Sequence, residues 1–197
     1  GAFTGPRLLP GTYTVRLTTG GEQFTAPLRV TKDPRTTHTA ADRKAQFDLS
    51  LRLVAMLNEM TDVVEKMNGV RAQLDGRASE LPAGDTIATK LRGGSDQVDV
   101  MRKKIVATKE GGMITGEERL RENLTELYGN MIFWDGGPTQ DQTSRADALA
   151  RELADVVRDF DAWATRDLAG INSALRGKKL EPIAVMTRQQ WEAAAGN

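Results

Sequence analysis

The chain has 197 residues, 39% of them apolar and 27% charged, with Lys+Arg and Asp+Glu balanced at 27 each. That balance sets up no global field toward nucleic acid or an acidic surface. The absence of cysteine excludes disulfides, zinc knuckles and thiol catalysis, and no apolar run reaches the ~18–20 residues of a membrane span.

Gly1 before Ala2-Phe3 reads as a residue left after removal of a tag, so a missing signal peptide says nothing about native export. Pro10-Gly11 opens a strand in which Tyr13, Val15 and Leu17 alternate with Thr12, Thr14, Arg16 and Thr18. Thr19-Gly20-Gly21-Glu22 supplies a turn, and Phe24, Ala26, Leu28 and Val30 alternate along a second strand. Pro27 cannot donate to a ladder and makes this second strand an edge. Asp33-Pro34 ends it. Arg7, Arg16, Arg29, Lys32 and Arg35 outnumber Glu22 and Asp33 here, which reads as a solvated hairpin edge kept from aggregating by cations.

Beyond a seam at Lys32–His38 the pattern becomes helical. Thr39 is a plausible cap for a helix running to Asp75 or beyond, in which Leu49, Leu53, Met56, Met60, Val63, Met67, Val70 and Leu74 recur at alternating steps of 4 and 3. Phe47, Leu51, Val54, Leu57 and Val64 widen this face. After a reversal at Pro82–Asp85, a second helix carries Ile87, Leu91, Val98, Met101 and Ile105 in the same rhythm, with Gly94 filling the expected slot. Gly93-Gly94-Ser95 could equally break it, with Ser95 capping a second piece, and a break or kink is the expectation. A reversal at Glu110–Gly112 precedes Thr115, which with Glu118 reads as a capping box for a third helix seamed by Leu120, Leu124, Leu127 and Met131. A last reversal, Asp135–Pro138, leads to Thr139 as cap of a helix seamed by Leu149, Leu153, Val156, Phe160 and Trp163, extended by Leu168, Ile171 and Leu175 and closed by Gly177. An irregular tail from Glu181 ends in a short helix, Arg188–Ala195. The expected fold is mainly α: an up-down four-helix bundle over 36–197 with an N-terminal antiparallel β-hairpin over 1–35.

No constellation specifies a reaction. His38 is the single histidine, read as an exposed linker or helix-start contact, which leaves no His-based metal site. Glu117-Glu118 reads as a first-turn acidic pair, and the glycine pairs lack the strand, lysine and spacing of nucleotide loops. No catalytic, metal-binding or cofactor-binding residue is assigned. Met56, Met60, Met67 and Met101 read as core filler, Trp163 as core, and Trp191 as a residue docking across the bundle or hairpin. The candidate interaction residues are Tyr13, Val15 and Leu17 of the hairpin, whose apolar face needs a cover, and Phe133-Trp134. The latter pair is either a plug for the open end of the core or an exposed aromatic patch for carbohydrate or protein.

The segments Leu9–Leu17, Phe24–Pro27 and Val30–Arg35 resemble the closing strands of an Ig-like module found after the β-propeller of large bacterial exported proteins with BNR/sortilin-type repeats, often called glycosyl-hydrolase-like. Arg119-Leu120, Leu127–Gly129, Gly137–Thr139 and Asp167–Asn172 look like parts of the helical tail that follows in such proteins. The resemblance implies a periplasmic or secreted C-terminal region. No propeller repeat is present, so no catalytic residue carries over. The expectation is a non-catalytic accessory domain that braces or oligomerises its parent, with the parent's upstream domains, or a second copy through the hairpin, as partner, and neither nucleic acid nor a membrane span. Rival expectations are a carbohydrate-binding module and a helical domain contributing to the parent's hydrolase site.

Overall fold

The computed structural model describes residues 4–109, 116–134 and 136–195, the side chains at 191, 192, 194 and 195 excepted. Gly1, the reversal at Glu110–Gly112, the cap expected at Thr115, Asp135 and the docking of Trp191 lie outside the described residues. Strands β1 (Gly11–Thr19) and β2 (Glu22–Val30) form an antiparallel hairpin. The helices that follow are α1 (Ala40–Ser79), α2 (Thr86–Ile105), α3 (Leu120–Phe133), α4 (Gln140–Trp163), α5 (Ala169–Gly177) and α6 (Arg188–Ala195), with a π-turn, Ala164–Leu168, between α4 and α5. The chain is therefore mainly α with an N-terminal hairpin. It divides into two compact units, one made of Gly1–Val54 and Glu126–Ala146, the other of Ala55–Thr125 and Asp147–Asn197.

The first unit holds the hairpin, the start of α1 and the end of α3. Helix α1 begins where Thr39 and Asp42 satisfy each other's exposed donors: the Thr39 N–H donates to Asp42 Oδ2 at 2.9 Å, and the Asp42 N–H to Thr39 Oγ1 at 3.1 Å. The Thr39 hydroxyl, which also donates to Asp42 Oδ2 at 2.7 Å, together with the Thr39 N–H holds the Asp42 carboxyl below its usual range. Leu49 and Leu53 are buried, as are Leu127, Tyr128, Met131 and Ile132 of α3, whereas Leu51 faces solvent at 45% exposure. Two polar side chains share this interior: Gln46 donates to the carbonyls of Met131, at 2.8 Å, and Trp134, and Ser50 Oγ donates back to Gln46 O at 2.8 Å. Gln46 thereby satisfies carbonyls that the end of α3 leaves without a helical partner. Tyr128 reaches the N-terminal segment, its hydroxyl donating to Thr4 O at 2.6 Å, and burial pushes its phenol up.

The second unit packs α1 from Met56 onward with α2, α4 and α5. Met56, Met60, Met67 and Met101 are all buried, which makes them core. Helix α2 does not break at Gly93–Ser95. It runs unbroken because Gly94 serves as a packing slot: a β-carbon there would lie 2.8 Å from Ile171 Cδ1 and 3.6 Å from both Leu74 Cδ1 and Trp163 Cζ2. Trp163 fills the space, donating Nε1–H to Gln97 Oε1 at 2.8 Å and stacking on Phe160 with ring centroids 6.1 Å apart. Between Trp163 and Leu168 the apolar step lengthens to five residues, and the π-turn absorbs it so that Leu168, Ile171 and Leu175 stay buried. Lys179, at φ 59°, takes the left-handed position beyond α5, and Leu180 N–H returns to Leu175 O at 3.0 Å.

The irregular tail is tied down by two side-chain amides. Asn172 exchanges bonds of 2.9 and 2.7 Å with the Ile183 backbone, and Gln73 exchanges bonds of 2.8 and 3.0 Å with that of Ala184. Ile183 is buried between these anchors at 3% exposure. Helix α3 starts at Leu120, later than a cap at Thr115 would place it. Its reciprocal bond is the Arg119 N–H to Glu122 Oε2, at 3.0 Å.

Candidate functional site

The hairpin combines a locked geometry with an open face. Its register pairs Tyr13 with Leu28, Val15 with Ala26 and Leu17 with Phe24, so these six side chains share one face. The opposite face carries Thr12, Thr14, Arg16, Thr18, Gln23, Thr25, Pro27 and Arg29, and no carboxylate. The turn needs two successive left-handed residues, and Gly20 (φ 57°) and Gly21 (φ 84°) supply them. Val15, Leu17, Phe24 and Leu28 are 49, 60, 52 and 46% exposed. A β-branched and aromatic stripe at such exposure has no cover among the described residues.

Tyr13 differs from its neighbours. It is half-buried, and its hydroxyl donates to Leu9 O, four residues upstream, at 2.7 Å. A tyrosine near a strand start that bonds back to the preceding loop is the tyrosine-corner device of β-sandwich domains, where it fixes the chain as it enters a sheet. Here it ties Leu9 to β1, and among the described residues the hairpin is the one sheet. Below the hairpin, Asp33 accepts from Arg35 Nη2 at 2.8 Å and from the Arg35 backbone at 2.9 Å, which keeps its carboxyl below the usual range.

Phe133 and Trp134 end α3 in the same unit. Phe133 is 77% exposed and Trp134 49%. The Trp134 indole folds over the next turn, donating Nε1–H to Gly137 O at 3.2 Å, and a β-carbon on Gly136 would come within 2.8 Å of that nitrogen and 2.9 Å of His38 Cε1. His38 is thus a half-buried contact of this turn, placed there by the start of α1. Aromatic surface is presented to solvent on one side and hydrogen-bonded to backbone on the other.

In the second unit the charged groups pair with one another. Asp99 accepts from Arg71 at 2.9 Å, Arg102 at 2.9 Å and Lys103 at 2.7 Å. Burial pushes its carboxyl up, but the bonds from Lys103 and Arg102 with the Arg71 charge outweigh that, leaving it below the usual range. Glu117, expected in a helical first turn, instead stands ahead of α3. It accepts the Thr108 N–H at 2.9 Å and pairs with Arg119, and these bonds lower its carboxyl to about 2. Among the described residues no group of acidic or histidine side chains converges to hold a metal ion, and no helix is long and apolar enough to cross a membrane.

Comparison with known proteins adds no label. No family model, curated protein or solved structure matches the chain.

Sequence reasoning named Tyr13, Val15, Leu17, Phe133 and Trp134. The structure places the first three on one strand with Phe24 and Leu28 opposite, and the last two at the end of α3. It missed Gln46 and Ser50, polar residues on an apolar helix face whose only signal was their position one turn apart beside Leu49 and Leu53.

Proposed function

We propose that the chain is a non-catalytic accessory domain of a larger exported, glycosyl-hydrolase-like protein, in which the hairpin docks onto β-structure of the parent and the helices brace the assembly. One observation carries the reading: a well-registered hairpin, locked by its tyrosine, presents Val15, Leu17, Phe24 and Leu28 half-exposed. An isolated two-stranded sheet is marginal in water, and so much contiguous apolar surface marks an interaction site. The resemblance to the closing strands of an Ig-like module supports a β-sheet partner and a periplasmic or secreted location.

Sedimentation over a wide concentration range tests the docking role. The reading predicts a monomer, with Leu17→Lys leaving the helical circular dichroism unchanged. A helical fold that collapses in Leu17→Lys would make the face part of this chain's own core and overturn the reading. Concentration-dependent dimers abolished by Leu17→Lys would instead assign the face to a second copy.

A second reading rests on Phe133, 77% exposed beside Trp134. Such a pair suits stacking on a sugar ring, which makes a carbohydrate-binding accessory role testable. It predicts a change of tryptophan emission with at least one glycan of a panel, lost in Trp134→Ala. Silence across the panel removes it.

A further inference from the structure

The two long edges of the hairpin are not equivalent. A two-residue loop makes the pair that flanks it, Thr19 and Glu22, a hydrogen-bonded pair, and bonded and non-bonded pairs alternate from there. The pairs Leu17–Phe24, Val15–Ala26 and Tyr13–Leu28 are then bonded within the hairpin. Thr12, Thr14, Arg16 and Thr18 on β1, and Gln23, Thr25, Pro27 and Arg29 on β2, turn their backbone groups outward. Pro27 falls among the outward positions of β2. Its missing N–H costs the hairpin nothing but removes a donor from the middle of that outer edge, and its ring blocks the approach of a neighbouring strand. The outer edge of β1 has no such block: its central outward residues, Thr14 and Arg16, keep both donor and acceptor.

We infer that β1 is the acceptor edge of this domain: an extended strand from a partner β-sheet domain pairs along Thr12–Thr18, that strand carries a carboxylate facing Arg16, and the partner's second sheet layer covers Val15, Leu17, Phe24 and Leu28. This deepens the docking role proposed above and rests on it. Three features choose that occupant over a second copy of the chain. The polar face bears Arg16 and Arg29 without an acid, so a second β1 paired antiparallel over the whole of Thr12–Thr18 would set each Arg16 opposite a Thr14 and diagonal to the other Arg16, within reach of a like charge and offering no carboxylate to either. Two copies paired along β1 also leave both apolar stripes bare. Stacked face to face they cover only four half-exposed side chains each, on the order of a few hundred Å², below the ~800 Å² per partner of a stable interface. A sandwich-type partner supplies an adjoining strand and a covering layer together, and the Tyr13–Leu9 bond is the local device such domains use where a strand enters a sheet.

The test is a titration of the whole chain, followed by backbone amide resonances and amide exchange, with a capped peptide as long as β1 that alternates valine with threonine and glutamate. Shifted resonances and roughly tenfold slower exchange, the worth of one added hydrogen bond, are expected at Thr12, Thr14, Arg16 and Thr18, with Gln23, Thr25 and Arg29 unmoved. Thr14→Pro and Thr25→Pro each change an outward position and spare the hairpin's own ladder. The first should weaken the peptide about tenfold or more, the second less than about twofold, and Arg16→Glu should reverse the preference for glutamate over lysine in the peptide. Protection of the β2 amides, equal effects of the two proline variants, or no binding at millimolar peptide overturns the edge assignment. If the methyl groups of Val15 and Leu17 respond while the β1 amides do not, the edge assignment fails and the docking role stands. If neither edge nor face responds and Leu17→Lys also unfolds the helices, the docking role fails with it.

Discussion

Gly93→Ala and Gly94→Leu, at adjacent glycines in the middle of α2, should change stability with opposite signs. Gly93 is exposed and a β-carbon there meets nothing within 4 Å, so Gly93→Ala should simply relieve the conformational cost of glycine in a helix, a gain of about 0.5–1 kcal/mol. Gly94 is buried, and its missing side chain is occupied by the tips of Ile171, Leu74 and Trp163, the nearest 2.8 Å from where a β-carbon would sit. Gly94→Ala should come out near zero, because the Ile171 methyl can rotate aside at a cost close to the helical gain. Gly94→Leu adds three further carbons to a slot with no vacancy. Overpacking of about 1–3 kcal/mol at the upper end, less a helical gain of about 0.8 kcal/mol, leaves a net loss of about 2 kcal/mol. Urea unfolding followed by tryptophan emission reads both variants, with Trp163 close to the lesion. A stabilised or unchanged Gly94→Leu, or the same sign at both glycines, would refute the packing account of α2 and restore the reading of Gly93-Gly94 as a helix breaker.

Two other substitutions probe the polar anchors. Gln46→Leu should cost about 1–3 kcal/mol in thermal unfolding, since it strands the Met131 and Trp134 carbonyls; an unchanged melting temperature would mean that water replaces the amide. Glu117 has a carboxyl lowered to about 2, so its bonds to Thr108 and Arg119 stabilise the fold fully above its ordinary value of 4.5 and are lost as pH falls through about 2. Carbon-detected titration of the Glu117 carboxyl should place its midpoint near 2, moving toward 4.5 in Arg119→Gln; a midpoint near 4.5 in the parent chain contradicts the geometry.

Much of this fold is written in local pattern. The step of 4 and 3 from Leu49 to Leu74 reports burial on a single helix face, and all eight residues are buried. The alternation of Tyr13, Val15 and Leu17 and the paired glycines at the turn report strand and hairpin geometry, and the hairpin forms there with that face exposed. The misses share a different cause. Gly93-Gly94 looks like punctuation until Ile171 and Trp163, far along the chain, are known to need the space. Glu117 looks like a helix-start acid until Thr108 and Arg119 close around it. The π-turn had a signal, the five-residue step from Trp163 to Leu168, but a single irregular step can equally mean a helix end. The candidate surface was legible as residues and not as geometry. Alternation placed Val15 and Leu17 on one face, whereas their exposure, the tyrosine bond to Leu9 and the blocked edge at Pro27 follow from the register.

Amide exchange of the chain alone, resolved by segment, tests the central claim that the hairpin is a docking element and not part of the chain's own core. The account predicts that Gly11–Val30 exchanges at least ~100-fold faster than the buried seams of α1, α2 and α4, because a two-stranded sheet with a bare face opens at little cost. Protection of the hairpin equal to that around Leu53, Leu91 and Leu153 would show that this face is already covered, and would contradict the account.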